Sequence, residues 1–145
     1  MNDTLESRKF RILVVEDNPA DVDLLRRALK YAGLECALTV VDDGADALAL
    51  VRQQGLAADA PDLAIIDLNL PKHGGLEVLE EIRANGALAH LAVVILSSSS
   101  SPRERATIER LQVRKHIVKP PDLDEFLRIG CDVKELLTGG RAPGA

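Results

Sequence analysis

The sequence has almost no aromatic residues: no Trp, one Tyr and two Phe, 2% of 145 residues. Any core must therefore be aliphatic, with Phe10, Tyr31 and Phe126 as minor members. Cysteine is equally scarce. Cys36 and Cys131 are too few for a disulfide framework or a zinc site, and each lies in an apolar periodic segment where a free buried thiol is expected, which suits a reducing compartment. No Lys/Arg cluster stands free of neighbouring acids, nothing aromatic interleaves the basic residues, and the formal net charge is −5, all of which argue against direct nucleic-acid binding. Met1 to Phe10 is polar and charged rather than a basic run leading into an apolar one, so no secretory signal is expected. The long uncharged window from Ala84 to Pro102 has an apolar centre of only Leu91 to Leu96, which is strand length and not membrane-spanning length. The expected location is the cytoplasm, with no membrane partner.

What the sequence does have is an alternation of two periodicities. Short aliphatic runs typical of buried parallel strands give way to segments with apolar residues at helical spacing. The runs are Arg11 to Val15, Cys36 to Val41, Leu63 to Ile66 ending at Asp67, Leu91 to Leu96, and Arg114 to Val118. Between them, Asn18-Pro19 opens a first helix with an inward stripe of Val22, Leu25, Leu29 and Ala32, closed by Gly33. Asp43-Gly44 opens a second helix, and Gly75, Val78, Leu79 and Ile82 mark a third. Ser101 with Glu104 forms a capping box for a fourth, and Asp122 caps a fifth with Leu123, Phe126, Leu127, Val133 and Leu137 inward. Five βα units with short links predict an α/β doubly wound, five-stranded parallel sheet of the flavodoxin-like kind, order 2-1-3-4-5. One domain is expected over residues 10–138, between tails at 1–9 and 139–145.

In such a sheet ligands bind at the carboxyl ends of the strands. Glu16 and Asp17 follow the first strand, Asp67 ends the third, Ser97 follows the fourth and Lys119 follows the fifth. With strands one and three adjacent, the three carboxylates crowd together and repel, which calls for a cation. Mg²⁺ suits carboxylates, a carbonyl and waters, and Lys119 adds a second positive charge. With both in place, Asp67 is competent as a nucleophile toward phosphorus, and the Ser97 hydroxyl can donate to a phosphate oxygen.

Ile12 to Asp21, Leu63 to Pro71, the strand running into Ser97, and Ile117-Val118-Lys119-Pro120 resemble the four signatures of the response-regulator receiver (CheY-like) family over residues 10 to 138. The Glu16 to Asp21 start and the Asp67 to Pro71 loop are similar to stand-alone regulators that pair with bacterial phytochrome kinases. The resemblance implies a phosphorelay protein whose phosphoacceptor is Asp67. It implies Asp17, Asp67 and the Asn69 backbone carbonyl as direct metal ligands, and Glu16 as holder of a metal-bound water. It also implies Ser97 as the switch hydroxyl, Lys119 as the phosphate-pairing cation, and a cis bond between Lys119 and Pro120. The implied partner is a sensor histidine kinase, of phytochrome type by the subgroup likeness, or a phosphotransfer protein. Mixed charges on the fourth and fifth helices also allow a homodimer through helix 4, strand 5 and helix 5.

Two positions depart from the family pattern. His116 stands at the switch position usually given to Tyr or Phe, and the sequence leaves open whether it is an inert strand residue or a titrating one. Leu111-Gln112-Val113-Arg114 replaces a small-residue turn, commonly with glycine, before the fifth strand. Taken singly, Glu16-Asp17 reads equally as a solvated helix start, Pro120-Pro121 as a strand stop, the serines after Ser97 as loop and cap, and His73 and His90 as surface loop residues. A Mg²⁺-dependent phosphohydrolase of the haloacid-dehalogenase type is the enzyme alternative, but it needs an aspartate two residues after the nucleophile, where Asn69 stands. A receiver-shaped interaction module that is never phosphorylated is the third reading. The expected protein is thus not an enzyme beyond catalysing its own phosphorylation and dephosphorylation.

Overall fold

The computed structural model describes residues 9–53, 60–70 and 74–139. The expected tails, except Lys9 and Gly139, lie outside the described residues, as do Pro71 and His73. Five strands, β1 (Phe10–Val15), β2 (Cys36–Val41), β3 (Leu63–Asp67), β4 (Ala92–Ser97) and β5 (Lys115–Val118), alternate with α1 (Pro19–Tyr31), α2 (Gly44–Gln53), α3 (Gly75–Ala84), α4 (Pro102–Arg110) and α5 (Leu123–Leu137). The sheet order is β2-β1-β3-β4-β5, and all pairings are parallel. The expected fold class and strand order are therefore the observed ones, with strand ends moved by a residue. Among the described residues, no helix is long and apolar enough to cross a membrane.

The side-chain alternation of the strands divides the core in two. Leu13, Val15, Ala64, Ile66, Val93 and Ile95 pack under α2, α3 and Ile108 of α4. Ile12, Val14, Leu63, Ile65, Val94 and Leu96 pack under α1 and α5. β3, covered on both faces, is buried throughout, whereas edge strand β2 has no fully buried residue. Two inward assignments fail. Leu123 is half exposed, because it is the first residue of α5, a turn before Phe126 where the buried stripe begins. Cys131 is exposed rather than buried, because the stripe of Phe126, Ile129, Gly130 and Val133 takes the buried side of α5.

The glycine-free turn before β5 is built by other means. Gln112 takes a φ of 59°. The Arg83 guanidinium, reaching over from α3, donates to the carbonyls of Leu111 (2.8 Å), Gln112 (3.1 Å), Ala89 (3.2 Å) and Leu91 (2.8 Å). One side chain thus ties the turns on either side of β4. At the opposite end, α3 starts so close to β3 that a Cβ on Gly75 would overlap the Asp67 carbonyl oxygen, so only glycine allows the helix to begin there.

Candidate functional site

The carboxyl ends of β1, β3, β4 and β5 bring the expected residues to one edge. Glu16, Asp67 and Ser97 are buried polar groups, at 2%, 4% and 0% exposure, while Asp17 beside them is exposed. Carboxylate oxygens of Glu16, Asp17 and Asp67 all lie within 4.8 Å of one another. A second acidic group, Asp42, Asp43 and Asp46, is more exposed, and there Asp43 caps α2 by accepting from the Asp46 amide at 2.7 Å.

Local hydrogen bonds fix each acid. Glu16 Oε2 accepts from the Asn18 amide (3.2 Å), and Asn18 in turn caps α1 through the Ala20 amide (2.9 Å). Asp67 Oδ1 accepts from the Asn69 amide at 2.9 Å, so the turn after β3 orients the carboxylate. The Asn69 side chain reaches sideways, its Oδ1 accepting from the Ser98 amide and hydroxyl, both at 3.2 Å.

Lys119 closes the cluster. Its amide donates to the Ser97 carbonyl (2.7 Å), continuing the β4–β5 ladder. Its ammonium donates to Glu16 Oε1 (3.1 Å), Asp67 Oδ2 (3.3 Å) and Asp21 Oδ2 (2.7 Å). Burial works to lower its pKa, but the bonds to Asp21 and Glu16 and the charges of Glu16 and Asp67 outweigh that, so the lysine is held above its ordinary range. Glu16 moves the other way for a carboxyl: burial first, then the adjacent Asp67, push it up to about 7 against the pull of Lys119. The cluster holds more negative charge than one ammonium neutralises.

Asp21 is the member that sequence reasoning missed. It lies in the first turn of α1, four residues before the buried Leu25 and on the same side of the helix, where an inward carboxylate needs a partner. The Lys119–Pro120 bond is trans, as every described peptide bond is, which corrects the expected cis isomer. Trans is favoured by about 0.5–1 kcal/mol for an X-Pro bond, and Lys119 is already placed by its amide and three carboxylates. His116 is half-buried on β5, and its Nε2 lies 2.9 Å from the Ser97 hydroxyl. Burial and the Arg105 charge lower its pKa, with Glu104 opposing.

Residues 12–129 match the family model described as the response regulator receiver domain. Response regulator Rcp1 of Synechocystis sp. is 35% identical over 120 residues, which are 81% of this chain and 82% of that one. A probable methanogenesis regulatory protein, FilR2 of Methanothrix harundinacea, is 33% identical over 145 residues, 98% and 94% of the two chains. Among solved structures, the phosphorylated cyanobacterial phytochrome response regulator RcpA superposes with a TM-score of 0.80 at 35% identity, covering 93% of this chain and 98% of that one. The Mn²⁺-bound form of Rcp1 superposes with a TM-score of 0.78 at 32% identity, covering 92% and 99%.

Proposed function

The chain belongs to the response-regulator receiver family, and on that premise we propose that it accepts a phosphoryl group from a histidine kinase onto Asp67, with Mg²⁺, and signals through altered protein contacts. The observation that carries this reading is the buried Asp67 carboxylate, held by the Asn69 amide at one oxygen and by Lys119 at the other, beside two further acids. The donor set fits Mg²⁺: all three side chains offer hard oxygen ligands, and Glu16, raised first by burial and then by the adjacent Asp67, gains from a neighbouring cation. Asp17, Asp67 and the Asn69 backbone carbonyl would hold the ion directly and Glu16 through water, and when bound the ion supplies positive charge to the transferred phosphoryl oxygens.

In the transfer, an Asp67 oxygen forms a bond to phosphorus as the P–N bond to the donor imidazole breaks, and the electron pair returns to that imidazole, which picks up a proton. Lys119, whose ammonium already faces Asp67, pairs with the new charge, and the Ser97 hydroxyl donates to a phosphoryl oxygen. The signalling face would be α4, β5 and α5, where Val118 is 59% exposed, and a second copy of the chain would bind on the same face. The likeness to the phytochrome regulators points to a kinase of that type and to the cytoplasm, with residues 10–138 acting as one receiver domain.

Incubation with acetyl phosphate and Mg²⁺, read by intact mass, tests this. One added phosphoryl group on the wild type and none on Asp67→Asn is the expected result. A wild type that stays unmodified would overturn the reading, as would turnover of many phosphate esters.

A further inference from the structure

The Ser97 hydroxyl is fully buried, and its hydrogen bond among the described residues is to His116 Nε2, at 2.9 Å. A hydroxyl has one proton to give and lone pairs to receive with, and a neutral imidazole nitrogen is either a donor or an acceptor. A phosphoryl group on Asp67 accepts hydrogen bonds and donates none near neutral pH. If Ser97 gives its proton to that group, the same proton is no longer available to His116. The lone pair of Nε2 would then face the lone pairs of Oγ in a buried setting, unless Nε2 itself carries a hydrogen.

Resting on the reading of Asp67 as phosphoacceptor, we propose that His116 is a positioning residue that couples phosphoryl occupancy to proton uptake. With Asp67 unmodified, Nε2 accepts the Ser97 proton and keeps it turned away from the carboxylate. With the phosphoryl group present, the ring takes a proton from water and donates Nε2–H to Oγ, while Ser97 donates to a phosphoryl oxygen. No bond to phosphorus changes in this step.

The surroundings of the ring suit such an exchange. β4 presents Ser97 to it. Burial and, from α4, the charge of Arg105 lower the ring's pKa, and Glu104 of the same helix opposes them. A dianion arriving beyond Ser97 acts in the same sense as Glu104, and the two together favour the imidazolium. A phenyl ring at this position would make no claim on the Ser97 proton, so the coupling belongs to the histidine.

The test uses the full chain with ¹⁵N-labelled imidazoles and beryllofluoride plus Mg²⁺ as the phosphoryl probe. Of the three histidines, the His116 signal is assigned by its loss in His116→Gln. The Nε2 resonance should move from acceptor-type to donor-type on adding the probe, and the titration midpoint should rise by about one pH unit, equivalent to about tenfold. Affinity for the probe, taken as the ratio of wild type to His116→Gln so that the reagent's own pH dependence cancels, should be about three- to sixfold higher near pH 6 than near pH 8. Glutamine offers a donor or an acceptor by rotation and does not titrate, so it should retain binding. Probe binding with an unmoved His116 midpoint, or with a flat ratio, overturns the coupling and leaves Asp67 as the acceptor. A wild type that neither binds the probe nor gains mass with acetyl phosphate overturns both.

Discussion

The Lys119 ammonium lies nearer to Asp21, at 2.7 Å, than to Asp67, at 3.3 Å. Under the proposed function, the cation that would pair with a phosphoryl group on Asp67 is therefore shared with a carboxylate outside the proposed metal ligands. Asp21 acts as a competitor for Lys119. Asp21→Asn removes the competing charge while keeping an oxygen for hydrogen bonding, so beryllofluoride should bind about three- to tenfold more tightly, equivalent to about 0.6–1.4 kcal/mol. Isothermal titration in Mg²⁺ measures this, and weaker binding would show that Asp21 steers the lysine toward Asp67 instead.

Removing the lysine itself leaves Glu16 and Asp67 facing each other without a counter-ion. Lys119→Ala should still fold, because Lys119 is half-buried at the sheet edge and the aliphatic core does not depend on it. In chelator it should lose about 1–3 kcal/mol, below the range for a fully buried broken pair. Mg²⁺ should recover more stability in the variant than in the wild type, since an ion bound as proposed would neutralise the same acids. Urea unfolding with and without Mg²⁺ separates the two effects. The variant should also lose the phosphorylation-dependent partner response.

Glu16 makes the metal-free protein sensitive to pH. Its folded pKa is raised from 4.5 to about 7, so the folded state binds the proton more tightly than the unfolded chain does. Stability is unaffected by this group below the unfolded value, falls as pH rises between the two, and stays reduced above about 7, by up to about 3 kcal/mol. In chelator, the wild type should therefore unfold at lower urea at pH 8 than at pH 5, after correction for other groups. Glu16→Gln should flatten that slope, and an unchanged slope would place the proton elsewhere.

How far the sequence reaches is clear from which contacts it reveals. β3 and β4 are continuous aliphatic runs ending in a polar residue, and β1 from Ile12 is one that runs into Glu16, so both the strands and the site edge follow from local pattern. The capping box of Ser101 and Glu104 is local too, and both of its bonds form, at 2.8 and 3.1 Å. The Lys119–Asp21 and Ser97–His116 contacts depend on how separate segments sit side by side, which no periodicity encodes. Arg83 was equally hidden: its role is to satisfy carbonyls of two distant turns. Composition misled at Cys131, where an apolar neighbourhood in sequence is the exposed side of a helix in space.

Helix propensity and packing make opposite predictions at Gly130, within α5. Alanine in a helix interior ordinarily gains about 0.5–1 kcal/mol over glycine. Here a methyl would overlap the Ala28 carbonyl of α1, which is backbone and cannot swing aside. Gly130→Ala should therefore destabilise, by about 2–3 kcal/mol or more, because α1 and α5 must separate to admit it. Thermal unfolding gives the sign directly, and a stabilised variant would mean the two helices slide apart at little cost.

Arg83 offers a test of the turn that replaces the expected glycine. Its guanidinium meets four carbonyls from two turns through three nitrogens, and burial lowers its pKa without removing the need for the charge-assisted bonds. Lysine carries the same charge on a single nitrogen, so it cannot span both turns at once. Arg83→Lys should lose about 1–3 kcal/mol by leaving part-buried carbonyls unpaired. Gln112→Gly should act oppositely: it relieves a non-glycine residue at φ 59° and should offset part of that loss in the double variant. Equilibrium unfolding of the two single variants and the double variant measures the coupling. Strict additivity would show that Arg83 does not hold Gln112 in its turn conformation.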